Sequence, residues 1–364
     1  MRKKISKFNQ VKVSFPYWGN YTIAFKSLLE NLRLEVILPE KTNSKTIEEG
    51  AKIAPEMYCF PLKVNLGNYL SAIKKGANTI FMATALGGSC RLRYYGDIQK
   101  KALFDNGYKV KFVIFDQNPK DIYSKLKEIS GASFWQIIKS TLFFYQKLRL
   151  IEKLEKRANF LRPREKIKGK TNEILREGFL ELETIKTRVE LAGFKKKIFQ
   201  KISKIEIDEK RNIPKVGIIG EIYTVTDGAI NFEIEEKLGR EEIEVHREMD
   251  ITYHLKKGIF PWKDWIIQRK IMPYLKSTVG GHGRDAIYEM LNYIKENFDG
   301  VIHLLPMGCM PEVTIRPILE KIHQELVIPF LSLSLDEQVA EAGINTRIEA
   351  FVDVVKNYHN KKNL

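Results

Sequence analysis

Between Asp299 and Glu312 the chain reads DGVIHLLPMGCMPE, a run that fits few kinds of fold. Val301 to Leu305 is short, apolar and bounded by turn residues, which predicts a buried strand of a parallel sheet. Pro306 and Gly308 break it. Pro311 then suits a first helical turn, where its missing N–H would be unpaired anyway, so a helix is expected through about Glu325 with Cys309 at its start. The same arrangement occurs earlier, where Cys59-Phe60-Pro61 leads into a helix-like run to Gly76. Cys90, the third and last cysteine, follows an apolar strand from Thr79 to Ala85 and a Gly87-Gly88 turn. A helix N-terminus offers about half a positive charge and free N–H groups, which favours a thiolate or a metal–thiolate cluster there. With all three cysteines beside strand ends or helix starts, a shared site is the leading expectation.

The rest of the chain repeats this grammar. Strands are expected at 11–15, 34–38, 79–85 and 110–115, and again at 216–219, 243–246, 301–305 and 328–335, with helical runs between them. Such alternation predicts parallel α/β sheets, whose ligands bind beyond the carboxyl ends of the strands. Cys90 and Cys309 both lie at such ends. From Asp121 to about Ile207 the strand signal fades. Leu126–Leu161 and Thr171–Ile205 are long, periodic and rich in Lys and Glu, broken at Arg162-Pro163, and predict an insert of two or three helices. The expected fold class is therefore α/β, with two Rossmann-like parallel-sheet halves, a helical insert and a site in the cleft between the halves. The domains would be 1–120 with Cys59 and Cys90, a basic helical insert at 121–212, and 213–364 with Cys309. One cysteine in each half is followed two residues later by proline, which reads as an internal echo.

A chain of 364 residues can hold two cores, and 44% hydrophobic with 29% charged residues describes a soluble globular protein. No apolar run reaches the roughly 18 residues of a membrane helix. MRKKISKFNQ leads straight into VKVSF without an apolar signal region, so a cytoplasmic location is expected. Three cysteines in such a chain argue against a disulfide framework. The net charge of +16 is concentrated between Leu126 and Lys210, with 21 Lys and Arg against 12 Asp and Glu. Phosphate neutralisation would make nucleic acid a candidate partner, but the segment lacks interleaved stacking aromatics and any recognised nucleic-acid motif. A solvated helical face or a lysine-rich composition accounts for it better.

Burial alone would explain any one of the cysteines, since free Cys is among the most buried residue types. Three of them in loops beside Gly or Pro are harder to explain by packing. The lack of a C-x-x-C pair excludes zinc-ribbon and bacterial ferredoxin spacings. Scattered ligands suit a cluster held between two domains. Three thiolates on a four-iron cluster would leave one iron open to water or substrate, as in an open catalytic zinc site.

PEMYCFPLKVNLG, the GGSC loop, VGIIGEIY, GGHG, HLLPMGCMPE and LSLDEQVAEAGINTRIEAF together resemble the iron–sulfur component of 2-hydroxyacyl-CoA dehydratases. The wider superfamily includes benzoyl-CoA reductases and double-cubane-cluster reductases. Within it the chain is similar to a branch often fused to or beside an ATPase activator of the actin/Hsp70 type. The resemblance covers about residues 11–116 and 214–355. It implies a 4Fe-4S cluster on Cys59, Cys90 and Cys309, an ATP-driven activator as electron donor, a dimer with a like or related subunit, and a small-molecule substrate that is an acyl-CoA in the family. A double cubane needs twice the thiolates this chain has, so a single cubane is expected. The rival readings are a cluster-bearing electron carrier or accessory subunit without its own substrate site, and a cluster-free binding protein.

Other residues carry two readings each. Lys63, one turn into the Cys59 helix, either balances the charge of a cluster or substrate phosphate or is a solvated lysine. Gly88 belongs to the Cys90 loop and is a candidate cofactor contact. Gly280-Gly281-His282-Gly283 either lets backbone N–H groups approach a phosphate or cluster, with His282 shuttling protons, or is a flexible helix entry. Glu221 follows the 216–219 strand and is a candidate site acid without an evident partner. Glu312 is expected to cap its helix rather than to act chemically, and His303 to be a satisfied core histidine. Asp336 and Glu337 follow the last strand and face the same crevice. Thr346 and Glu349 read as a capping box; Arg347 beside them contacts an anion or makes a surface ion pair. No G-x-x-x-x-G-K-[ST] occurs, so ATP hydrolysis is assigned to a partner.

Overall fold

Among the described residues eight strands build two four-stranded sheets, and every pairing within them is parallel. The computed structural model describes residues 11–84, 90–116, 118–259 and 262–363. The first half runs β1 (Lys12–Ser14), α1 (Thr22–Asn31), β2 (Glu35–Val36), α2 (Ser44–Ile53), α3 (Phe60–Lys74), β3 (Thr79–Thr84), a 3-10 helix (Arg91–Tyr94), α4 (Tyr95–Asp105) and β4 (Lys111–Asp116). Four helices follow: α5 (Pro119–Ser130), α6 (Phe134–Leu161), α7 (Lys170–Thr184) and α8 (Arg188–Ser203). The second half runs β5 (Lys215–Gly220), α9 (Ile222–Thr226), α10 (Ile234–Arg240), β6 (Glu244–His246), α11 (Ile251–Ile259), α12 (Trp262–Ile271), α13 (Gly283–Lys295), β7 (Gly300–Pro306), α14 (Met310–Leu326), β8 (Phe330–Leu335) and α15 (Glu341–Lys362).

The strand orders are β2-β1-β3-β4 and β6-β5-β7-β8, the same topology twice. This is the α/β fold of two halves that the alternation predicted. The seven residues of β7 are all buried because helices cover both faces of its sheet. Val301 joins the apolar cluster of α12, α13 and α14, while Ile302 and Leu304 join the one that includes α15, as the two-residue period of a strand requires.

The helical segment departs from the expected two or three helices. Gly131, at φ 64°, ends α5 in the left-handed conformation, and Ser133 caps a new helix by accepting from Gln136 N at 3.3 Å. A reciprocal Thr187–Glu190 capping box likewise separates α7 from α8. Leu148, Ile151 and Leu154 of α6 share one core with Tyr21 and Val64 of the first half and Ile218 and Leu304 of the second. Its lysines are largely a solvated, ion-paired face: Lys197 and Lys201 of α8 meet Glu181 and Glu177 of α7. The exception is Lys147, whose buried Nζ donates to the carbonyls of Leu182 at 3.0 Å and Ile185 at 2.8 Å at the end of α7. Burial pushes its pKa down to about 8.

The capping box expected at Thr346 is overturned. The last helix starts five residues earlier, at Glu341, and Thr346 Oγ1 donates to Ala342 O within it at 3.1 Å. The halves touch directly: Trp18 meets the Tyr223 ring edge-on at 4.9 Å, and Tyr223 donates to Asn68 Oδ1 at 3.1 Å. Thr42 Oγ1 donates to Asp227 Oδ2 at 2.9 Å across the same boundary. Among the described residues no helix is long and apolar enough to cross a membrane.

Candidate functional site

Cys59 is the N-cap residue of α3 and Cys309 that of α14, each with proline in the first turn. Cys90 holds the corresponding place before the 3-10 helix that leads into α4. These starts are joined by backbone. Phe60 N donates to Met307 O at 3.0 Å, so the first residue of α3 is hydrogen-bonded to the turn that follows β7. Gly308 sits at φ +73°, and a Cβ there would lie 3.2 Å from the Tyr58 carbonyl oxygen and 3.3 Å from Cys59 Cα. Gly281, at φ +50°, is equally confined: a Cβ would meet the Pro311 ring at 2.9 Å and Cys90 Cβ at 3.8 Å. Glycine is required at both, for its left-handed backbone and for the close approach. The three cysteine loops and the 280–283 loop thus meet in one region.

Arg91 fastens that meeting. Its guanidinium donates to Met57 O at 2.5 Å and to Gly308 O, and lies 5.0 Å over the Tyr58 ring. Tyr95, the buried first residue of α4, makes a hydrogen bond between its hydroxyl and Cys59 Sγ. Nothing in CRLRYYG distinguishes either residue from a surface or core position, and sequence reasoning missed both.

All three thiols are pushed up. Burial raises Cys59 to about 11, opposed by the Tyr95 hydrogen bond and Arg91 and aided by Glu221 and Cys90. Burial also raises Cys90, with Leu92 N–H opposing and Glu221 and Glu312 adding to it. Cys309 is raised well above the usual thiol range by burial and then by Glu312 and Glu221, while Glu312 N–H pulls the other way. Cys59 is also among the charges acting on Cys309. Neutral thiols of this kind are poor free nucleophiles. A bound metal reverses the balance, because a coordinating thiol is deprotonated outright.

The other predicted residues fall as follows. Lys63 is ion-paired with Glu337, tying α3 to the segment after β8, so it is not a solvated lysine. Gly88 lies outside the described residues. Glu221 closes β5 and caps α9, accepting from Thr224 N at 2.9 Å and Thr224 Oγ1 at 3.0 Å; burial raises it, and its charge reaches all three thiols. His282 is the N-cap of α13, buried, with Nε2 3.3 Å from His254 Nδ1. Burial holds it well below the usual histidine range. His303 is the expected satisfied core histidine, between Ser332 Oγ at 3.2 Å and Glu312 Oε2 at 2.9 Å. Glu312 does not cap α14 with its side chain. It is fully buried and reaches back to His303, because that nitrogen in the sheet is within reach of the third residue of the helix.

The echo between Cys59 and Cys309 is also corrected. Cys59 opens the helix before the third strand of its half, whereas Cys309 follows the third strand of the other. By topology the counterpart of Cys309 is Cys90, and the counterpart of Cys59 is His282. Among the described residues no three His, Cys, Asp or Glu side chains are gathered to hold a single metal ion.

Residues 13–86 match the family described as CoA enzyme activase uncharacterised domain, and residues 273–355 match 2-hydroxyglutaryl-CoA dehydratase, D-component. Both matches support a resemblance to the 2-hydroxyacyl-CoA dehydratase-like superfamily. Taken together they support a likeness to the branch of that superfamily associated with an activator. The activase match runs from β1 past β3 and contains Cys59; the dehydratase match contains α13, β7, Cys309, α14 and β8. Cys90 lies between the two, outside both. No curated protein matches the chain.

Proposed function

We propose that this chain is a subunit of a dehydratase- or reductase-type system that holds one 4Fe-4S cluster through Cys59, Cys90 and Cys309. An ATPase activator of the actin/Hsp70 type supplies low-potential electrons, which the subunit delivers to a small-molecule substrate, with an acyl-CoA favoured by the dehydratase match. The observation that carries this reading is the meeting of the three cysteine loops at Gly308, Gly281 and Arg91. The donor set fits: thiolates are the usual ligands of iron–sulfur clusters. Each cysteine would bind a different iron, so the three need not gather on one point as ligands of a single ion do. The cluster, when bound, supplies one-electron transfer at low potential.

The chain's own residues do the rest. With the cluster bound, the first turns of α3 and α14, which Cys59 and Cys309 begin, would offer positive dipole ends to a group made anionic by three thiolates. Arg91 adds a full positive charge and holds the Cys59 and Cys309 loops together. Tyr95 donates to the Cys59 sulfur once it is a thiolate, a contact that tunes potential. The Lys63–Glu337 pair keeps the two halves in register beside the site. A second subunit of like or related sequence would complete a homodimer or heterodimer.

The test is anaerobic mixing of the cluster-loaded chain with a reduced activator and ATP, followed by electron paramagnetic resonance. Appearance of a reduced-cluster signal that decays on adding a 2-hydroxyacyl-CoA supports the reading. A signal indifferent to acyl-CoA makes the chain a carrier, and no ATP-dependent signal at all contradicts the proposal.

A further inference from the structure

We propose that the cleft between the end of α1, the start of α6 and the turn joining α7 to α8 binds a nucleoside phosphate. Lys139, Lys186 and Arg188 hold its phosphate and Trp135 stacks on its base. The site stands on its own residues and is independent of the cluster.

The cleft measures about 400 Å³, within the range of small-ligand sites. Asn31, the last residue of α1, forms one side of it, and Ser133, the cap of α6, another. Lys186 and Arg188 flank Thr187, the cap of α8. Because α1 joins two parallel strands, it starts at the carboxyl end of β1 and ends near the amino end of β2. Asn31 therefore lies at the opposite edge of the sheet from Cys90, which follows the carboxyl end of β3. The cleft is not part of the cysteine site.

Its charge is unanswered. Among the described residues Lys139, Lys186 and Arg188 make no ion pair. The carboxylates whose charges reach Lys147, seven residues along α6 from Ser140, are committed elsewhere: Glu30 and Glu183 pair with Lys26 at 3.9 and 2.7 Å, and Glu190 caps α8. Lys147 itself holds the end of α7 through the Leu182 and Ile185 carbonyls, which fixes the turn that carries Lys186 and Arg188. Ser140 is an independent sign of a ligand. It lines the cleft and is 4% exposed, yet among the described residues its hydroxyl has no hydrogen-bond partner. Such a group is costly to leave unpaired, and a phosphate oxygen in the cleft would accept from it. Lysine and arginine beside it are the usual phosphate partners. Trp135 is 69% exposed, but Phe134 meets its ring at 5.3 Å and Tyr123 meets Phe134 at 5.7 Å, so the indole is braced rather than loose. An indole beside three cations is a stacking platform for the base of a nucleotide.

Titration calorimetry of the full, metal-free chain with AMP and with inorganic phosphate tests this. AMP is expected to bind saturably and more tightly than phosphate. Lys186→Gln and Arg188→Gln are each expected to weaken AMP about tenfold, the loss of a charge-assisted bond. Trp135→Ala is expected to weaken AMP about tenfold and to leave phosphate binding unchanged, since only the base stacks. These three side chains are exposed, and an unchanged circular dichroism spectrum checks that each variant keeps the fold. Coenzyme A, which also carries a nucleoside phosphate, is the second ligand: competition with AMP supports the site as a holder of the nucleotide end of a larger molecule, and lack of competition supports a free nucleotide. No saturable AMP binding, AMP bound no more tightly than phosphate, or parent affinity in both Lys186→Gln and Arg188→Gln overturns the proposal. Iron uptake by the cysteines enters none of these measurements, so failure here leaves the cluster reading untouched.

Discussion

The guanidinium of Arg91 donates to the carbonyl oxygen of Gly308, 217 residues further along the chain. With its second bond, to Met57 O, it clips the Cys59 loop to the Cys309 loop from a position next to Cys90. Bonds from a charged donor are worth roughly 1.5–3 kcal/mol each, so losing them should open the loops at least about tenfold more often. Arg91→Ala is expected to raise the alkylation rates of Cys59 and Cys309 in metal-free protein by that factor. Arg91→Lys should fail to restore them, since an ammonium cannot reproduce the two-pronged fork. Unchanged labelling would mean that the loops are held by packing alone.

Asp227 is buried where the halves meet, accepting from Thr42 Oγ1 at 2.9 Å and Ala229 N at 3.1 Å. Burial raises its pKa from 3.8 to about 7, against the pull of those two bonds. The folded state therefore holds a proton that the unfolded chain releases above about pH 4. Stability contributed by this group is full below that pH, falls as pH rises towards 7, and is then lost, an amount on the order of 4 kcal/mol. Asp227→Asn should flatten the stability profile between pH 4 and 7 in urea melts. A variant with the parent's slope would show that another group governs that window.

Glu289 of α13 is 3% exposed, and neither carboxylate oxygen has a hydrogen-bond partner among the described residues. Burial, then Asp285, Glu248 and Glu312, push its pKa well up, with Lys257 pulling the other way. An unpaired buried polar group costs about 1–3 kcal/mol, so Glu289→Met, a side chain of similar length, should stabilise the fold by about that amount. A lower urea midpoint in this variant would reveal a partner that compensates the acid.

Much of this architecture was legible because strands buried on both faces leave unbroken apolar runs, as β3 and β7 do, and because Pro61 and Pro311 mark helix starts. The helix divisions at Gly131 and Thr187 were missed because periodicity continues through them, although the glycine and the T-x-x-E motif were readable signals. Thr346 offered the same motif inside a helix, where it means nothing for capping. Of the site, the cysteines were visible by their turns. Arg91, Tyr95 and the His254–His282 contact were not, because each depends on residues brought together only by the fold. The equivalence of Cys59 with His282 needed strand order, and the shared C-x-P pattern pointed to Cys309 instead.

The central claim is that three cysteines from two halves hold one cluster, and iron and acid-labile sulfide per chain after anaerobic reconstitution measure it most directly. The account predicts about four of each per chain, a broad visible absorbance bleached by dithionite, and loss of most of the iron in each of Cys59→Ala, Cys90→Ala and Cys309→Ala. Iron no higher in the parent than in a variant lacking all three cysteines, or an intact cluster in any single variant, would contradict it.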